Sequence, residues 1–377
     1  MNTNNKRIYL ALLAAALVGT ASCSKVSPLD VDDEAQAALL ERDKKKWAEE
    51  AETLAKNRAD SAAISEENKR LREIYLADLR AYKKTKHPVM FGWFAYWNPT
   101  SPDKTFSLDQ LPDSVDFISN WGQQWNLGSE RIEQWNRLRE KGTRMTAGWI
   151  VEGVGNGLQN APEGGWSTDP FKAIEQYAQA IADSVKKYGY DGIDVDYEPS
   201  FSSPWKLSKH NKMHCGDWVD QTTGAPIDDW SKNPNRPIIS CSPTENKQYE
   251  NHFFTKLREY LPKGSLLNVN GSIDYLDPSV TSVFDYFVFQ SYNNTASRWT
   301  STADRVMSAN KDITADQFIY TESFQNNPAN ANGFNRYVTY GQRYGGIGAF
   351  HINEDWLYSK YNNVRSVIST LNPPMDK

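Results

Sequence analysis

The segment Asp191–Glu198, Asp-Gly-Ile-Asp-Val-Asp-Tyr-Glu, constrains the fold of this chain more than any other. Successive side chains of a β-strand point to opposite faces. One face of this strand therefore carries three carboxyl groups, at Asp194, Asp196 and Glu198, and the other face is apolar. Neighbouring carboxylates raise one another's pKa, and such perturbed groups concentrate at functional sites. The pattern predicts a buried strand whose acids take part in chemistry.

The residues on either side of this strand support that placement. Apolar residues recur at helical spacing between Phe171 and Tyr188, which predicts an amphipathic helix. A Gly-Tyr turn follows the helix, and Pro199 ends the strand. The order of helix, turn and strand is typical of an α/β protein with a parallel sheet.

The spacing Asp191-x-x-Asp194-x-Asp196-x-Glu198 resembles the catalytic signature of glycoside hydrolase family 18, which includes chitinases and endo-β-N-acetylglucosaminidases. The resemblance implies a (β/α)8 TIM barrel with this segment as its fourth strand. The acids would then lie at the C-terminal end of the barrel, where the active sites of such folds are found.

The resemblance also implies a mechanism with retention and without a protein nucleophile. Glu198 would protonate the leaving glycosidic oxygen, and the acetamido oxygen of the substrate would attack the anomeric carbon. Asp196 would hold the acetamido N–H and stabilise the developing positive charge, while Asp194 would share a proton with Asp196. Asp191 lies on the opposite face of the strand and is expected to be structural.

A second group of candidate residues is Gln290, Tyr292 and Asn293, at the end of the predicted sixth strand. Gln290 and Tyr292 share one face of that strand. In family 18 a Tyr of this strand donates a hydrogen bond to the acetamido oxygen, and Tyr292 matches it. Gln290 and Asn293 resemble the Gln-x-Tyr form found in endo-β-N-acetylglucosaminidases, whereas chitinases typically read Met-x-Tyr-Asp.

Aromatic side chains stack well on sugar rings, and this chain has 13 Trp and 19 Tyr. Chitinases commonly carry a Trp in the last barrel strand, where this chain has Phe350 and His351, which disfavours a chitin-type subsite. Further substrate contacts are expected from aromatic residues at the barrel mouth and from one acid after the seventh strand. These candidates are Trp93, Tyr96, Trp149 and Trp356, with Trp121 and Trp125 as further aromatics, and Glu322.

Residues 88–377 are sufficient for one (β/α)8 barrel. Short apolar runs that end in turn residues mark the expected strands. These are Val89–Tyr96, Val115–Ser119, Arg144–Ile150, Gly192–Glu198, Pro237–Cys241 or Leu266–Val269, Phe284–Tyr292, Phe318–Thr321 and Gly346–His351. The fifth strand is left open between two segments. A long insertion, Ser200–Asn235, follows the acid strand and is expected at the barrel mouth, where loops shape substrate choice.

The first residues have the features of a lipoprotein signal peptide over 1–22. Lys6 and Arg7 precede the apolar run Ile8–Val18, which is too short to span a bilayer. The tetrapeptide Thr20–Cys23 resembles a bacterial lipobox, so Cys23 is expected to carry a lipid. The acids that soon follow resemble a surface-export signal. We therefore expect an outer-membrane lipoprotein that is exposed on the cell surface.

Residues 23–87 are expected to form a linker and a helical stalk or hairpin, because Ala, Glu, Lys, Arg and Leu dominate from about Asp33 onward. The role of this segment, the oligomeric state of the protein and the redox state of Cys215 and Cys241 stay open.

A net charge of −5 and the lack of basic runs in the predicted barrel argue against nucleic acid as a partner. The implied mechanism requires no metal or cofactor, and His210 and His214 fit ordinary loop residues better than ligands.

Taken with the family resemblance, these features predict an endo-β-N-acetylglucosaminidase. Its substrate would be the GlcNAc-β-1,4-GlcNAc bond in the chitobiose core of glycoprotein N-glycans. One alternative is a chitinase that acts on GlcNAc oligomers. Another is a glycan-binding barrel without activity, although such proteins usually lack the acid that this chain retains at Glu198. The class of N-glycan stays open.

Overall fold

The computed structural model describes residues 44–46, 48–49, 66–122, 124–150, 154–155, 158, 162–167, 169–198 and 243–373. The chain divides into two units, Met1–Ile74 and Tyr75–Lys377. All described residues of the first unit are helical. Cys23 and the expected signal peptide lie outside the described residues. Among the helices described, none is long and apolar enough to cross a bilayer.

The second unit contains a closed barrel of eight parallel strands, in which each strand pairs with the next and the eighth pairs with the first. The strands are β1 Val89–Ala95, β2 Phe117–Trp121, β3 Arg144–Ile150, β4 Gly192–Tyr197, β5 Leu266–Gly271, β6 Tyr286–Phe289, β7 Phe318–Ser323 and β8 Gly346–Phe350. This topology confirms the predicted (β/α)8 fold.

Helices connect most successive strands and cover the outside of the barrel. They are α1 Ser129–Glu140, α2 Pro170–Tyr188, α3 Pro243–Tyr260, α4 Ala296–Ala309, α5 Pro328–Asn332, α6 Val338–Arg343, α7 Glu354–Ser359 and α8 Asn362–Leu371. The β1–β2 and β5–β6 connections, every residue of which is described, contain 3-10 turns in place of α-helices. These turns are Lys104–Phe106, Leu108–Gln110, Ile273–Tyr275 and Pro278–Val283.

The predicted helix before the acid strand corresponds to α2. The Asp169 side chain accepts a hydrogen bond from the Lys172 N–H at 2.8 Å, and Pro170 follows the cap. Gly189 ends the helix with a φ of 74°, a left-handed conformation that favours glycine. The buried face is apolar, as the helical spacing predicted. These local signals explain why the chain enters β4 at a defined position.

Most strand predictions are confirmed, and the differences have local causes. The bounds of β3 match the expected ones at both ends. The open choice for β5 is decided by Leu266–Gly271, which pairs with β4 and β6. The other segment, Pro237–Cys241, lies outside the described residues. Strand β2 begins later than expected because Val115 belongs to a turn closed by its N–H and the Pro112 carbonyl. Strand β6 ends at Phe289, shortly before two left-handed residues, Asn293 and Asn294.

The barrel has two separate apolar layers. A small inner layer fills the barrel below the acids and consists of Val89, Phe91, Trp93, Phe117, Leu266, Val288 and Ile319. A much larger outer layer lies between the strands and the helices. The inner layer is therefore a packed floor beneath the carboxyl ends of the strands, as in other barrels of this type.

Candidate active site

The inward face of β4 carries the acids that the sequence pattern placed there. Across the β4–β5 pair, Asp194 lies beside Asn268 and Asp196 lies beside Asn270. All four side chains are buried. The barrel thus changes from an apolar floor to a polar layer within two residues along the strand.

Asp194 is the deepest of the three acids and is fully buried. The indole N–H of Trp93 donates a hydrogen bond to its Oδ2 at 2.7 Å. Burial raises the pKa of Asp194 to about 6, against the opposing effect of hydrogen-bonding groups on Asn270, Ser119 and Trp93. Asp194 therefore binds a proton far more tightly than an exposed Asp does.

Asp196 lies one step nearer to the mouth, with 5% of its surface exposed. The amide nitrogen of Gln290 donates to its Oδ1 at 3.1 Å. Burial and the negative charges of Glu198 and Asp194 raise the pKa of Asp196 well above its usual value. Two adjoining carboxyls that both resist ionisation form a pair that can hold a proton between them, as the family resemblance implied.

Glu198 follows β4 directly and is half-buried. The neighbouring strand β5 ends at Gly271, where φ is 90°. A Cβ at Gly271 would lie 2.6 Å from the Tyr197 carbonyl oxygen and 3.0 Å from the Cγ of Glu198. Glycine at this position therefore leaves the space that the Glu198 side chain occupies.

Tyr292 and Gln290 come from the end of β6 and face the same acids. Loss of water around the hydroxyl raises the pKa of Tyr292 well above its usual value, and the charges of Asp196 and Glu198 act in the same direction. The Tyr292 hydroxyl is thus neutral and available as a hydrogen-bond donor. Gln290 bridges two strands, because its amide nitrogen also donates to the Asn270 Oδ1 at 2.9 Å.

An aromatic cluster surrounds Phe350 at the end of β8. Its ring centroid lies 5.9 Å from that of Trp93, 6.0 Å from that of Trp121 and 5.7 Å from that of Tyr292. Phe350 thus packs at the top of the inner layer next to the candidate catalytic Tyr. His351 is buried beside this cluster, with its ring centroid 4.2 Å from that of Phe350, and its Nδ1 lies 3.0 Å from the Glu354 Oε1.

The structure corrects two of the expected substrate contacts, Trp93 and Trp149, and places a third, Trp356, against the outer layer with part of its surface exposed. Trp93 is buried below the acids and supports Asp194 through its indole N–H instead of lying at the cleft surface. Trp149 has 4% of its surface exposed and packs in the outer layer against Trp125, with ring centroids 5.1 Å apart. Trp356 also packs against the outer layer, beside Tyr361.

Glu322 is the third correction. Its side chain is fully buried and accepts hydrogen bonds from the backbone N–H groups of Asn293 and Asn294. From this position the carboxylate supports the turn after Tyr292 and does not contact a substrate.

Two further candidates lie where a ligand could reach them. Tyr96 follows β1 and is 67% exposed, with its ring edge against His351 at a centroid distance of 5.5 Å. Asn293 is exposed, and its Oδ1 accepts a hydrogen bond from the Asn330 side chain at 3.2 Å. Asp191, expected to be structural, accepts a hydrogen bond from the Met145 N–H at 2.8 Å.

The polar residues Asn268 and Asn270 are a part of the site that the sequence analysis missed. The signal was present in β5, because Asn268, Asn270 and Leu266 alternate with Leu267 and Val269. Other expected features, the insertion Ser200–Asn235 with its histidines and the pair Cys215 and Cys241, lie outside the described residues.

Comparison with known proteins agrees with this geometry. Residues 55–215 match the family model described as glycoside hydrolase family 18, BT1044-like. A solved structure of BT1044 that carries a Glu-to-Gln substitution is 25% identical, with a TM-score of 0.60 over 80% of this chain and 93% of that one. A search of curated protein sequences found no match.

The endo-β-N-acetylglucosaminidase from Cordyceps militaris shares the fold. A variant with Asp-to-Asn and Glu-to-Gln substitutions, in complex with fucosyl-N-acetylglucosamine-Asn, is 17% identical. Its TM-score is 0.53 over 79% of this chain and 95% of that one. The apo form of the same enzyme is 18% identical, with a TM-score of 0.52 over the same shares of the two chains.

The acid strand, the closed parallel barrel and the family match lead to one assignment. Over residues 55–215, which include the acid strand, the chain matches glycoside hydrolase family 18. Asp194 and Asp196 lie in β4 and Glu198 follows it directly, with the spacing that resembles the family signature.

Proposed function

We propose that this protein is a retaining endo-β-N-acetylglucosaminidase that cleaves the GlcNAc-β-1,4-GlcNAc bond in the chitobiose core of N-glycans. The observation that carries the proposal is the position of Gln290, whose amide bridges Asp196 and Asn270 beside Tyr292. This arrangement has the Gln-x-Tyr form that resembles endo-β-N-acetylglucosaminidases. The Cordyceps militaris variant offers further support, since its substituted Asp and Glu have the same spacing as Asp196 and Glu198.

In this proposal each acid has a separate role. Glu198, half-buried at the mouth, donates a proton to the leaving oxygen as the glycosidic bond breaks. Asp196 accepts a hydrogen bond from the acetamido N–H, and its carboxylate stabilises the positive charge that develops on the acetamido carbon. For this step Asp196 must be ionised, so the proton that the pair shares would move from Asp196 to Asp194 when the acetamido N–H binds.

The acetamido carbonyl oxygen of the substrate is the nucleophile, in place of a protein side chain. It attacks the anomeric carbon as the bond to the leaving oxygen breaks, and an oxazolinium ion forms within the substrate. The neutral hydroxyl of Tyr292 donates to this oxygen and orients it. Water, deprotonated by Glu198, then opens the ring, so that the configuration at the anomeric carbon is retained.

The second candidate function is hydrolysis of chitin oligomers by the same mechanism. Phe350, where chitinases commonly have Trp, disfavours it, because the Phe350 ring is already packed against Trp93, Trp121 and Tyr292. A catalytically inactive glycan-binding barrel is disfavoured by the presence of Glu198 with the space beside Gly271 that accommodates it.

We also propose that the mature protein is a lipoprotein anchored through Cys23 in the outer membrane and exposed on the cell surface. The lipobox-like residues 20–23 and the acids that follow them support this. The residues before Tyr75 would then connect the anchor to the unit that contains the barrel. Metabolic labelling with a palmitate analogue, compared between the parent and Cys23→Ala, tests the anchor.

A glycoprotein assay tests the proposed activity. Glycoproteins with a single defined N-glycan of high-mannose, hybrid or complex type are incubated with the protein and weighed by mass spectrometry. We expect the loss of the whole glycan except for one GlcNAc on the Asn. Glu198→Gln is the matched control, and we expect it to be about 100- to 10,000-fold slower because the amide cannot act as a general acid.

Chitohexaose is the competing substrate in the same assay. Rapid cleavage of chitohexaose with no change in any glycoprotein would favour the chitinase function. Tight binding of glycans without any cleavage would favour the inactive barrel. Activity of Glu198→Gln within a few-fold of the parent would show that another group is the acid.

A further inference from the structure

A buried carboxylate lies directly behind the residues that follow Tyr292. Strand alternation turns Glu322 on β7 away from the barrel interior, on the face opposite to Ile319. Its Oε1 accepts a hydrogen bond from the Asn293 N–H at 2.6 Å, and its Oε2 accepts one from the Asn294 N–H at 3.0 Å. Ser323 adds a third backbone donor at 2.8 Å.

The backbone that Glu322 binds has an uncommon conformation. Asn293 and Asn294 have φ angles of 56° and 62°, in the left-handed region that few residues other than glycine adopt. Successive N–H groups in such turns converge and form a concavity that binds an anion. Here the anion is the side chain of Glu322, supplied by the neighbouring strand.

Two side chains complete the surroundings of this carboxylate. The Asn330 amide nitrogen donates at 3.2 Å, and Arg336 forms an ion pair with Oε2 at 3.3 Å. The Tyr337 hydroxyl lies 3.1 Å from Oε2 and also contacts the Ser291 carbonyl, so its single proton serves one of the two at a time. Buried carboxylates are retained where donors and a positive charge surround them in this way.

The residue before Tyr292 is also fixed by β7. The Ser291 hydroxyl donates to the Thr321 carbonyl at 2.8 Å and accepts from the Thr321 N–H at 3.1 Å. Tyr292 is therefore held on one side through Ser291 and Thr321, and on the other through the turn at 293–294 and Glu322. The exposed face of Tyr292 is the side that its substrate would occupy.

We propose that Glu322 is a positioning residue for the reaction, which acts by fixing the turn at 293–294 and with it the Tyr292 hydroxyl. The inference rests on the proposed function, because it requires Tyr292 to orient the acetamido oxygen for attack. A displacement of about 1 Å in such a group lowers a rate by about 100-fold. Glu322 therefore influences the rate without contacting the substrate.

Glu322→Gln tests this role, because it keeps the size of the side chain but removes the charge and places an NH2 group among the donors. We expect kcat on a glycoprotein to fall by about 10- to 100-fold while KM changes less than about threefold. In a Tyr292→Phe background the same substitution should change kcat less than about threefold, because the hydroxyl that it misplaces is already absent.

Asp355→Asn is the matched control. Asp355 is another fully buried carboxylate, on α7, and it accepts a hydrogen bond from the Val364 N–H at 3.0 Å. We expect it to lower the Tm by an amount similar to Glu322→Gln and to leave kcat unchanged. An equal loss of kcat in this control, or full loss from Glu322→Gln in the Tyr292→Phe background, would overturn the positioning role.

Two further measurements apply if the parent is inactive or if Glu322→Gln does not fold. If the parent hydrolyses no substrate, the proposed function fails, and crystal structures of the parent and Glu322→Gln decide the inference separately. A displaced Tyr292 ring supports it, and an unmoved ring overturns it.

If Glu322→Gln does not fold, Arg336→Gln weakens the same carboxylate contact from the half-exposed side. A loss of kcat by about 3- to 10-fold then supports the role, and unchanged kcat overturns it.

Discussion

We expect Asp194 to lower the stability of the folded protein at neutral pH and Asp194→Asn to raise it. The carboxyl is fully buried, and its pKa in the folded state is raised to about 6. In the unfolded chain an Asp has a pKa of about 3.9. The folded protein thus binds this proton more tightly, so its stability falls as the pH rises from about 4 to about 6 and the group must ionise within the barrel.

The size of the effect follows from the two pKa values. A difference of about 2 units at about 1.4 kcal/mol per unit corresponds to about 3 kcal/mol above pH 6. An Asn side chain keeps an oxygen that accepts the hydrogen bond from Trp93 and never ionises. We therefore expect a gain of about 2 to 3 kcal/mol at pH 7, or about 5 °C in Tm, with most catalytic activity lost.

Thermal unfolding at pH 4, 5, 6, 7 and 8 measures the effect. The difference in Tm between Asp194→Asn and the parent should be close to zero at pH 4 and largest above pH 6. Asp191→Asn is the control within the same motif, since Asp191 accepts a hydrogen bond from the Met145 N–H and should give no gain. A variant that is less stable than the parent at pH 7, or a difference independent of pH, would refute the reasoning.

Two other predictions concern the reacting groups. If the acetamido group is the nucleophile, a GlcNAc-derived thiazoline with a suitable extension should inhibit, and Asp196→Asn should slow hydrolysis by about 100-fold or more; a covalent glycosyl ester on any carboxylate, detected by mass spectrometry, would contradict this. Gly271→Ala should lower both stability and kcat, because the new Cβ would meet Tyr197 and Glu198. Gly264→Ala, at a similar φ of 84° but with no atom near the new Cβ, should lower stability by about 1 kcal/mol and leave kcat unchanged.

Much of the fold was predictable because its determinants are local in sequence. The helical spacing and caps of α2, and the alternation of acids and apolar residues in β4, each depend on neighbouring residues. The closed (β/α)8 barrel was predicted from the family resemblance, because local patterns alone do not show how the strands close. The bounds of β3 were also correct. The positions of Asp194 and Asp196 on the inner face followed directly from the assignment of β4 as a strand.

The aromatic contacts were harder to predict because strand alternation does not say which face is inside. In β3, Trp149 lies on one face and Thr146 and Gly148 lie on the other. An apolar face is expected in the core of most sheets, but here both faces are buried. The polar and small face lines the barrel interior near the acids. Trp149 therefore packs under the helices, a result that depends on the closure of the whole barrel.

Glu322 shows the same difficulty with a charged residue. An acid at the end of a barrel strand reads as a substrate contact when only the sequence is known. Its true partners, at Asn293, Asn294, Asn330 and Arg336, come from two connections whose approach is a tertiary property. No local pattern shows that these donors converge on one carboxylate.

Backbone strain also concentrates at the catalytic end of this barrel. Left-handed residues other than glycine follow the carboxyl ends of four strands: Tyr96 after β1, Asn293 and Asn294 after β6, Asn326 after β7 and His351 after β8. Tyr96 and His351 are not turn-forming types, and their rings pack against each other. Such conformations persist where surrounding contacts enforce them. The strained turns therefore lie at the same end of the barrel as the buried carboxyls, whose ionisation lowers the stability of the folded protein. The two apolar layers below and around this end of the barrel must offset the strain and the cost of ionisation.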